Sequence, residues 1–191
     1  MLFDFDGTLT RPHAIDFAGI KRAIGCPVTE PILEFIARLS PEQSCEAHKV
    51  LEQFEADAAA GAVPNSGAED LLEHLRSLGM PVGILTRNSR VSVIVALEQF
   101  ERVGAADFDV IITRDDVTHN KPHPEGVLLA SERLVVPPAN MAVIGDYRYD
   151  VEAGLAAGAL TFFLTNGAPP PADITAHYLI AMLEDFYAYL P

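Results

Sequence analysis

The chain has 191 residues, of which 49% are hydrophobic and 21% charged, with a formal net charge of −14. This balance indicates a folded protein with a full hydrophobic core and excludes a disordered chain. The acidic charge argues against nucleic acid as a partner, and no apolar run reaches the roughly 20 residues that cross a bilayer. No signal peptide precedes the first predicted strand, and the chain has only two cysteines, so we expect a cytoplasmic protein.

The first part of the chain is predicted to be one short strand followed by helices. The strand covers residues 2–5, and the helical part covers residues 11–65. One helix there has an apolar face that ends at Gly25, and the next begins near Thr29 as its N-cap. A third helix begins at Ser40, where the letters SPEQ form a capping box with proline at the first helical position.

From residue 66 onward, predicted strands and helices alternate. A second capping box at Ser66 is expected to begin a helix whose leucines, Leu78 among them, face inward. Further strands are predicted at residues 81–86, 108–113, 141–146, 159–165 and 177–180, and a closing helix at residues 183–190. This alternation implies an α/β protein with a doubly wound parallel sheet, formed by residues 1–10 and 66–191, with the helical block 11–65 inserted above the sheet.

Polar side chains follow several of the predicted strands. They are, in chain order, Asp4, Asp6, Thr86, Arg87, Asn88, Lys121, Asp146 and Asp150. In a doubly wound sheet, ligands bind beyond the carboxyl ends of the strands. We therefore expect acids, a hydroxyl and an amine from four separate segments to converge on one edge of the sheet.

Four segments resemble, in the expected order, the motifs of the haloacid dehalogenase superfamily in its phosphatase branch. They are DFDGTLT (4–10), ILTRN (84–88), KPHP (121–124) and GDYRYD (145–150). The resemblance covers nearly the whole chain and is strongest to phosphoglycolate phosphatase-like members with a small helical cap. It implies a doubly wound core, a cap at 11–65 and hydrolysis of a small phosphorylated metabolite.

The two aspartates of the first motif suit phosphoryl transfer. Asp4 is the expected nucleophile, because a carboxylate that attacks phosphorus splits one hard displacement into two easier steps. Asp6 is the expected general acid and base. The resemblance implies phosphoryl transfer over carbon–halogen cleavage, because haloacid dehalogenases proper lack this second aspartate. The carboxylate and the phosphate repel each other, so a divalent cation is expected, and Mg²⁺ is the natural choice. Its expected ligands are Asp4 and Asp146, with the backbone carbonyl of Asp6 implied by the resemblance and Asp150 bound directly or through water.

The remaining motif residues are expected to bind the phosphate. Gly7 allows a sharp turn whose N–H groups face the phosphate, and Thr86 and Lys121 are expected to hold its oxygens. Arg87 and Asn88 occupy positions where the resembled family often has phosphate or substrate contacts. The sequence assigns no role to four other candidates, namely His13, Lys21, Arg22 and Tyr147.

Two other functions remain open from the sequence. A phosphomutase similar to beta-phosphoglucomutase would use the same residues and return the phosphoryl group to a sugar. A non-catalytic phospho-switch or binding protein would also contain an acidic cluster, a hydroxyl and a lysine. The sequence also does not decide between a monomer and a homodimer.

Overall fold

A computed structural model of the chain describes residues 1–190. Its centre is a six-stranded parallel sheet. The strands are β1 (Leu2–Phe3), β2 (Gly83–Leu85), β3 (Val110–Ile112), β4 (Ala142–Gly145), β5 (Leu160–Leu164) and β6 (Tyr178–Ile180). They lie in the order β3-β2-β1-β4-β5-β6, with Phe3 opposite Ile84 on one side and Ile144 on the other.

Helices cover both faces of the sheet. The α-helices are α1 (Phe17–Ile24), α2 (Ile32–Ile36), α3 (Pro41–Ala60), α4 (Ala68–Ser77), α5 (Arg90–Leu97), α6 (Glu125–Leu134) and α7 (Arg148–Ala157). Neighbouring strand residues point to opposite faces, so Phe3 packs with α4 and α5, whereas Leu2 packs with α6 and α7. The predicted α/β class with a doubly wound parallel sheet is confirmed.

Helices α1 to α3 form an all-helical insertion between β1 and the rest of the sheet. They have a hydrophobic cluster of their own, which includes Ile20, Ile36 and Leu51. The chain enters and leaves the insertion side by side, because the Arg11 N–H donates to the Val63 carbonyl at 2.9 Å. The division into a core domain and a cap at residues 11–65 stays a prediction. Among the helices of residues 1–190, none combines the length and apolar character that a bilayer crossing requires.

Helix starts follow the predicted caps in one case and differ in two. The hydroxyl of Ser40 accepts the N–H of Gln43, so the predicted capping box of α3 is confirmed. Thr29 is predicted to cap the second helix, but α2 begins after Pro31, which takes the N-cap position with extended backbone angles. A proline disfavours helical geometry at the residue before it, so the helix does not begin earlier. Ser66 does not cap α4, since its hydroxyl donates to Glu184 and Gly67 takes the N-cap position.

Three further element predictions need correction. Strand β1 ends at Phe3, not at residue 5, because the chain turns at Phe5–Leu9, where Asp6 and Gly7 have non-helical backbone angles. Leu78 does not face inward: α4 ends one residue earlier, and Leu78 is 43% exposed. The closing segment Leu183–Tyr189 is a 3-10 helix, not an α-helix.

Candidate active site

The acidic residues meet where the strand order reverses. Strand β1 lies between β2 and β4, so the loops after β1 and β4 leave the sheet side by side. The Asp4 N–H donates to the Ile144 carbonyl at 2.8 Å and extends the β1–β4 pairing beyond the strand. One carboxylate oxygen from each of Asp4, Asp146 and Asp150 lies within 4.8 Å of the other two.

The ammonium group of Lys121 lies inside this group of carboxylates. Its Nζ donates to Asp4 Oδ1 at 2.6 Å, to Asp150 Oδ1 at 2.5 Å and to the Leu85 carbonyl at 2.7 Å. Burial alone would lower the pKa of Lys121, but the charges of Asp150 and Asp4 outweigh it and raise the pKa above its usual value. Lys121 is therefore a permanent cation that joins two of the motifs.

One ammonium group does not balance three carboxylates. Burial, together with the charge of Asp4, raises the pKa of Asp146 to about 8 and that of Asp150 to about 7. Asp150 is fully engaged, because its Oδ2 also accepts the Tyr147 N–H at 3.1 Å. The free oxygens of Asp4 and Asp146 and the excess negative charge fit a hard divalent cation.

The backbone at Gly7 is packed directly against Asp146. Gly7 has φ +76°, and a Cβ there would lie 2.1 Å from Asp146 Oδ2. The Gly7 carbonyl is held from behind by the side-chain amide of Asn166, at 2.7 Å. Asn65 donates to the neighbouring Thr8 carbonyl at 3.0 Å and to the Asn166 side chain at 3.0 Å. Two asparagines thus position the turn that carries the first motif.

Asp6 faces the helical insertion and is held by Asn88. The Asn88 amide donates to Asp6 Oδ2 at 2.5 Å. Burial and the charge of Asp4 raise the pKa of Asp6 to about 7. The Asn88 N–H donates to Thr86 Oγ1 at 3.2 Å, so the buried Thr86 hydroxyl keeps its own hydrogen to donate.

Arg87 points away from the carboxylates and towards the insertion. Its guanidinium donates to Glu34 Oε2 on α2 at 2.6 Å and to the Lys121 carbonyl at 2.5 Å. It also lies 5.1 Å from the centre of the Tyr149 ring. Arg87 therefore links the insertion to the segment that carries Lys121.

The residues left without a role in the sequence lie outside the carboxylate group. Lys21 donates to the Val28 carbonyl at 2.6 Å, and Arg22 pairs with Asp16 at 3.6 Å, so both interact within the insertion. His13 is exposed. Tyr147 is 55% exposed, and its ring packs edge-on against Tyr149.

The sequence reasoning missed an ion pair between the insertion and the sheet edge. Glu55 of α3 is 3% exposed and accepts a hydrogen bond from Arg114, which follows β3. Its other oxygen accepts the Ser92 hydroxyl at 3.2 Å. Glu55, Asp6 and Asn88 line a small cavity of about 10 Å³ between the two parts.

A signal for these residues existed in the sequence. Arg114 and Asn166 follow predicted strands just as the recognised motif residues do, so they belong to the same edge of the sheet. Glu55 is four residues from both Leu51 and Ala59, which are buried on the same side of α3. A charged residue in such an apolar stripe indicates a buried partner.

The sequence and the fold are similar to those of known hydrolases. The family model described as haloacid dehalogenase-like hydrolase matches residues 1–164. An uncharacterized hydrolase of Saccharomyces cerevisiae is 33% identical over 87% of this chain and 77% of that protein. An N-acetylmuramic acid 6-phosphate phosphatase of Pseudomonas aeruginosa is 31% identical over 97% of this chain and 89% of that protein. A hydrolase from Pseudomonas syringae shares the fold, with a TM-score of 0.83 and 23% identity over 98% of this chain and 95% of that one.

Proposed function

The chain belongs to the haloacid dehalogenase-like hydrolases, and from this premise we propose that it is a Mg²⁺-dependent phosphatase of a small phosphomonoester. The proposal is carried by one observation, the convergence of Asp4, Asp146 and Lys121 at the reversal of the strand order. A nucleophile, a cation site and a fixed positive charge are the groups that phosphoryl transfer needs.

Asp4 is the nucleophile of this proposal. Lys121 holds its Oδ1, which fixes the carboxylate and leaves Oδ2 free to attack phosphorus. A bond forms between Asp4 and phosphorus as the bond to the leaving oxygen breaks, which gives an aspartyl-phosphate. Water then cleaves this acyl phosphate, releases inorganic phosphate and restores the carboxylate.

Asp6 is the general acid and base of this proposal. It gives a proton to the leaving oxygen in the first step and takes one from the attacking water in the second. Its side chain is partly buried beneath the insertion, and the Asn88 amide fixes one oxygen, so the other is free to face the substrate.

The carboxylates of Asp4 and Asp146, with the Asp6 carbonyl, would hold Mg²⁺. Bound there, the ion would offset the repulsion of the Asp4 carboxylate and the phosphate dianion. Asp150 contributes by orienting Lys121, because both of its oxygens are already hydrogen-bonded. Gly7 allows the turn to approach Asp146 closely.

The Thr86 hydroxyl is the donor for a transferring oxygen, and N–H groups of the Gly7 turn add to it. The Lys121 ammonium already donates its three hydrogens within the site, so it supplies positive charge beside the phosphate. Asn88 and Arg87 act on the phosphate site indirectly, through Asp6 and through the Lys121 segment.

Replacement of the nucleophile tests the proposal. Asp4→Asn preserves the size of the side chain and an acceptor for Lys121, so the fold should persist while p-nitrophenyl phosphate hydrolysis falls by about 10³-fold or more. Asp57→Asn, at an exposed position of α3, is the matched control and should keep the wild-type rate. Mass spectrometry of acid-quenched wild-type protein should find the phosphoryl group on the peptide containing Asp4. Near-native turnover in Asp4→Asn would refute the assignment of the nucleophile.

A panel of phosphorylated metabolites with Mg²⁺ then identifies the substrate. It includes phosphoglycolate, suggested by the motif resemblance, and N-acetylmuramic acid 6-phosphate, suggested by the name of the Pseudomonas aeruginosa relative. Hexose phosphates separate phosphatase from phosphomutase activity, because a mutase returns an isomeric sugar phosphate and releases no inorganic phosphate.

A further inference from the structure

A second group of potential metal ligands lies on the surface at the start of α6. One ligand atom from each of His119, His123 and Glu125 lies within 4.8 Å of the other two. Glu125 Oε2 is 2.8 Å from His119 Nδ1 and 3.9 Å from His123 Nδ1. Bond lengths to Zn²⁺ of about 2.0–2.2 Å place the donor atoms of a tetrahedral site roughly 3.4 Å apart. The observed distances lie on either side of that value.

The three side chains are held near one another by their own segment. The Glu125 carboxylate accepts the backbone N–H groups of Thr118 at 2.7 Å and His119 at 3.0 Å. The two imidazole rings are 4.6 Å apart, centre to centre. The Glu125 N–H donates to His123 Nδ1 at 3.2 Å, and His119 Nδ1 is hydrogen-bonded to Glu125 Oε2 at 2.8 Å, so Zn²⁺ would replace both of these hydrogen bonds. Because the three side chains already lie close together, ion binding would cost little additional side-chain entropy.

We propose that His119, His123 and Glu125 form a surface Zn²⁺ site, with two imidazole nitrogens and one carboxylate oxygen as protein ligands. Water completes the tetrahedron, because the two imidazoles are more than half exposed. Imidazole nitrogen suits Zn²⁺, whereas Mg²⁺ prefers oxygen ligands only. The site is thus chemically distinct from the carboxylates around Asp4, and it does not depend on the proposed phosphatase activity.

The cluster lies in the same short segment as Lys121, in a protein whose net charge attracts cations. Lys121 lies in sequence between the two histidines, and the Lys121 ammonium is buried among the carboxylates while its neighbours reach the surface. The net charge of −14 also raises the local concentration of cations around the molecule.

Calorimetric titration of the full chain with Zn²⁺, in buffer with excess Mg²⁺ to fill the oxygen site, tests the proposal. Wild-type protein should bind one Zn²⁺, and His119→Ala and His123→Ala should each weaken binding by roughly tenfold or more. His74→Ala removes another exposed histidine, on α4, and should leave the titration unchanged. Glu125→Gln should also weaken binding.

A second measurement separates a lost ligand from a damaged fold. Zn²⁺ should protect His119 and His123 from modification by diethyl pyrocarbonate, measured peptide by peptide in the wild-type protein. Thermal unfolding without Zn²⁺ should be the same for both histidine variants and wild type, because these side chains are exposed.

Three results would overturn the proposal. The first is a wild-type protein that takes up no Zn²⁺ under these conditions. The second is unchanged binding in the His119→Ala and His123→Ala variants. The third is loss of binding in Cys45→Ser alone, which would place the ion on α3 beside His48.

Discussion

The buried ion pair between Glu55 and Arg114 joins the helical insertion to the sheet edge, and removal of either charge should destabilise the fold. The two side chains are 3% and 9% exposed. In Arg114→Met, the Glu55 carboxylate keeps only the Ser92 hydroxyl at 3.2 Å and the Ser89 N–H at 3.4 Å. A buried charge without its partner costs about 3–5 kcal/mol, so we expect the free energy of unfolding to fall by that amount.

The double variant measures the interaction itself. Glu55→Met leaves the guanidinium with the Arg87 carbonyl at 3.3 Å and should also cost about 3–5 kcal/mol. In Glu55→Met/Arg114→Met both charges are gone, and the remaining cost is that of unpaired polar neighbours, about 1–3 kcal/mol. The double variant should therefore lose less than the summed single losses of about 6–10 kcal/mol, by at least about 3 kcal/mol.

Urea unfolding at pH 7, followed by far-ultraviolet circular dichroism, provides these free energies, since the chain contains no tryptophan. Lys49→Met removes one charge of the exposed Lys49–Glu46 pair and should not move the unfolding midpoint. Additive single losses, or single losses below about 1 kcal/mol, would refute the reasoning that this pair is buried and coupled.

Two further predictions concern the turn at Gly7 and the pH dependence of stability. Gly7→Ala should lower the free energy of unfolding by about 1–2 kcal/mol, because the backbone at Gly7 has a positive φ. The added Cβ would also displace Asp146, so the variant should need a higher Mg²⁺ concentration for p-nitrophenyl phosphate hydrolysis. An unchanged Mg²⁺ dependence would contradict this prediction. Burial alone would raise the pKa of Asp116, but hydrogen bonds from Thr113 and the charge of Arg90 hold it below its usual value near 3.8. Because the pKa is depressed in the folded state, the ionised Asp116 stabilises the fold above pH 4, and this stabilisation is lost on acidification. Asp116→Asn should therefore lower the free energy of unfolding in urea titrations by about 1–2 kcal/mol at pH 7 and by progressively less below pH 4. A loss that does not depend on pH would rule out this linkage.

Much of the fold was predictable because it follows from local rules. Apolar periodicity over a few residues predicted the strands from residue 81 onward and the helices between them, and the strand–helix alternation predicted the parallel sheet. Errors concentrated at element ends, at Thr29, Ser66 and Leu78. Pro31 takes the cap position predicted for Thr29, and Gly67 takes that of Ser66, whose hydroxyl bonds Glu184. Leu78 lies just past the end of α4, where helix ends are hardest to predict.

The candidate site was predictable to the extent that it depends on strand ends. Asp4, Thr86, Lys121 and Asp146 all follow strands of one parallel sheet, so their approach to a single edge follows from the topology. The direction in which a side chain points from that edge does not follow. Arg87 has the same sequence context as Thr86, yet it turns to Glu34 on the insertion.

The amino-acid sequence alone determined the order of the elements, the handful of motif residues and the excess of negative charge, since these depend on residue type and on spacing of a few positions. Only the tertiary structure decided the pairing of Glu55 with Arg114 and the support of Gly7 by Asn166. These partners are separated by 59 and 159 positions. The packing of the insertion against the sheet and of β5 beside β4 brings them within reach, and no local pattern encodes that distance.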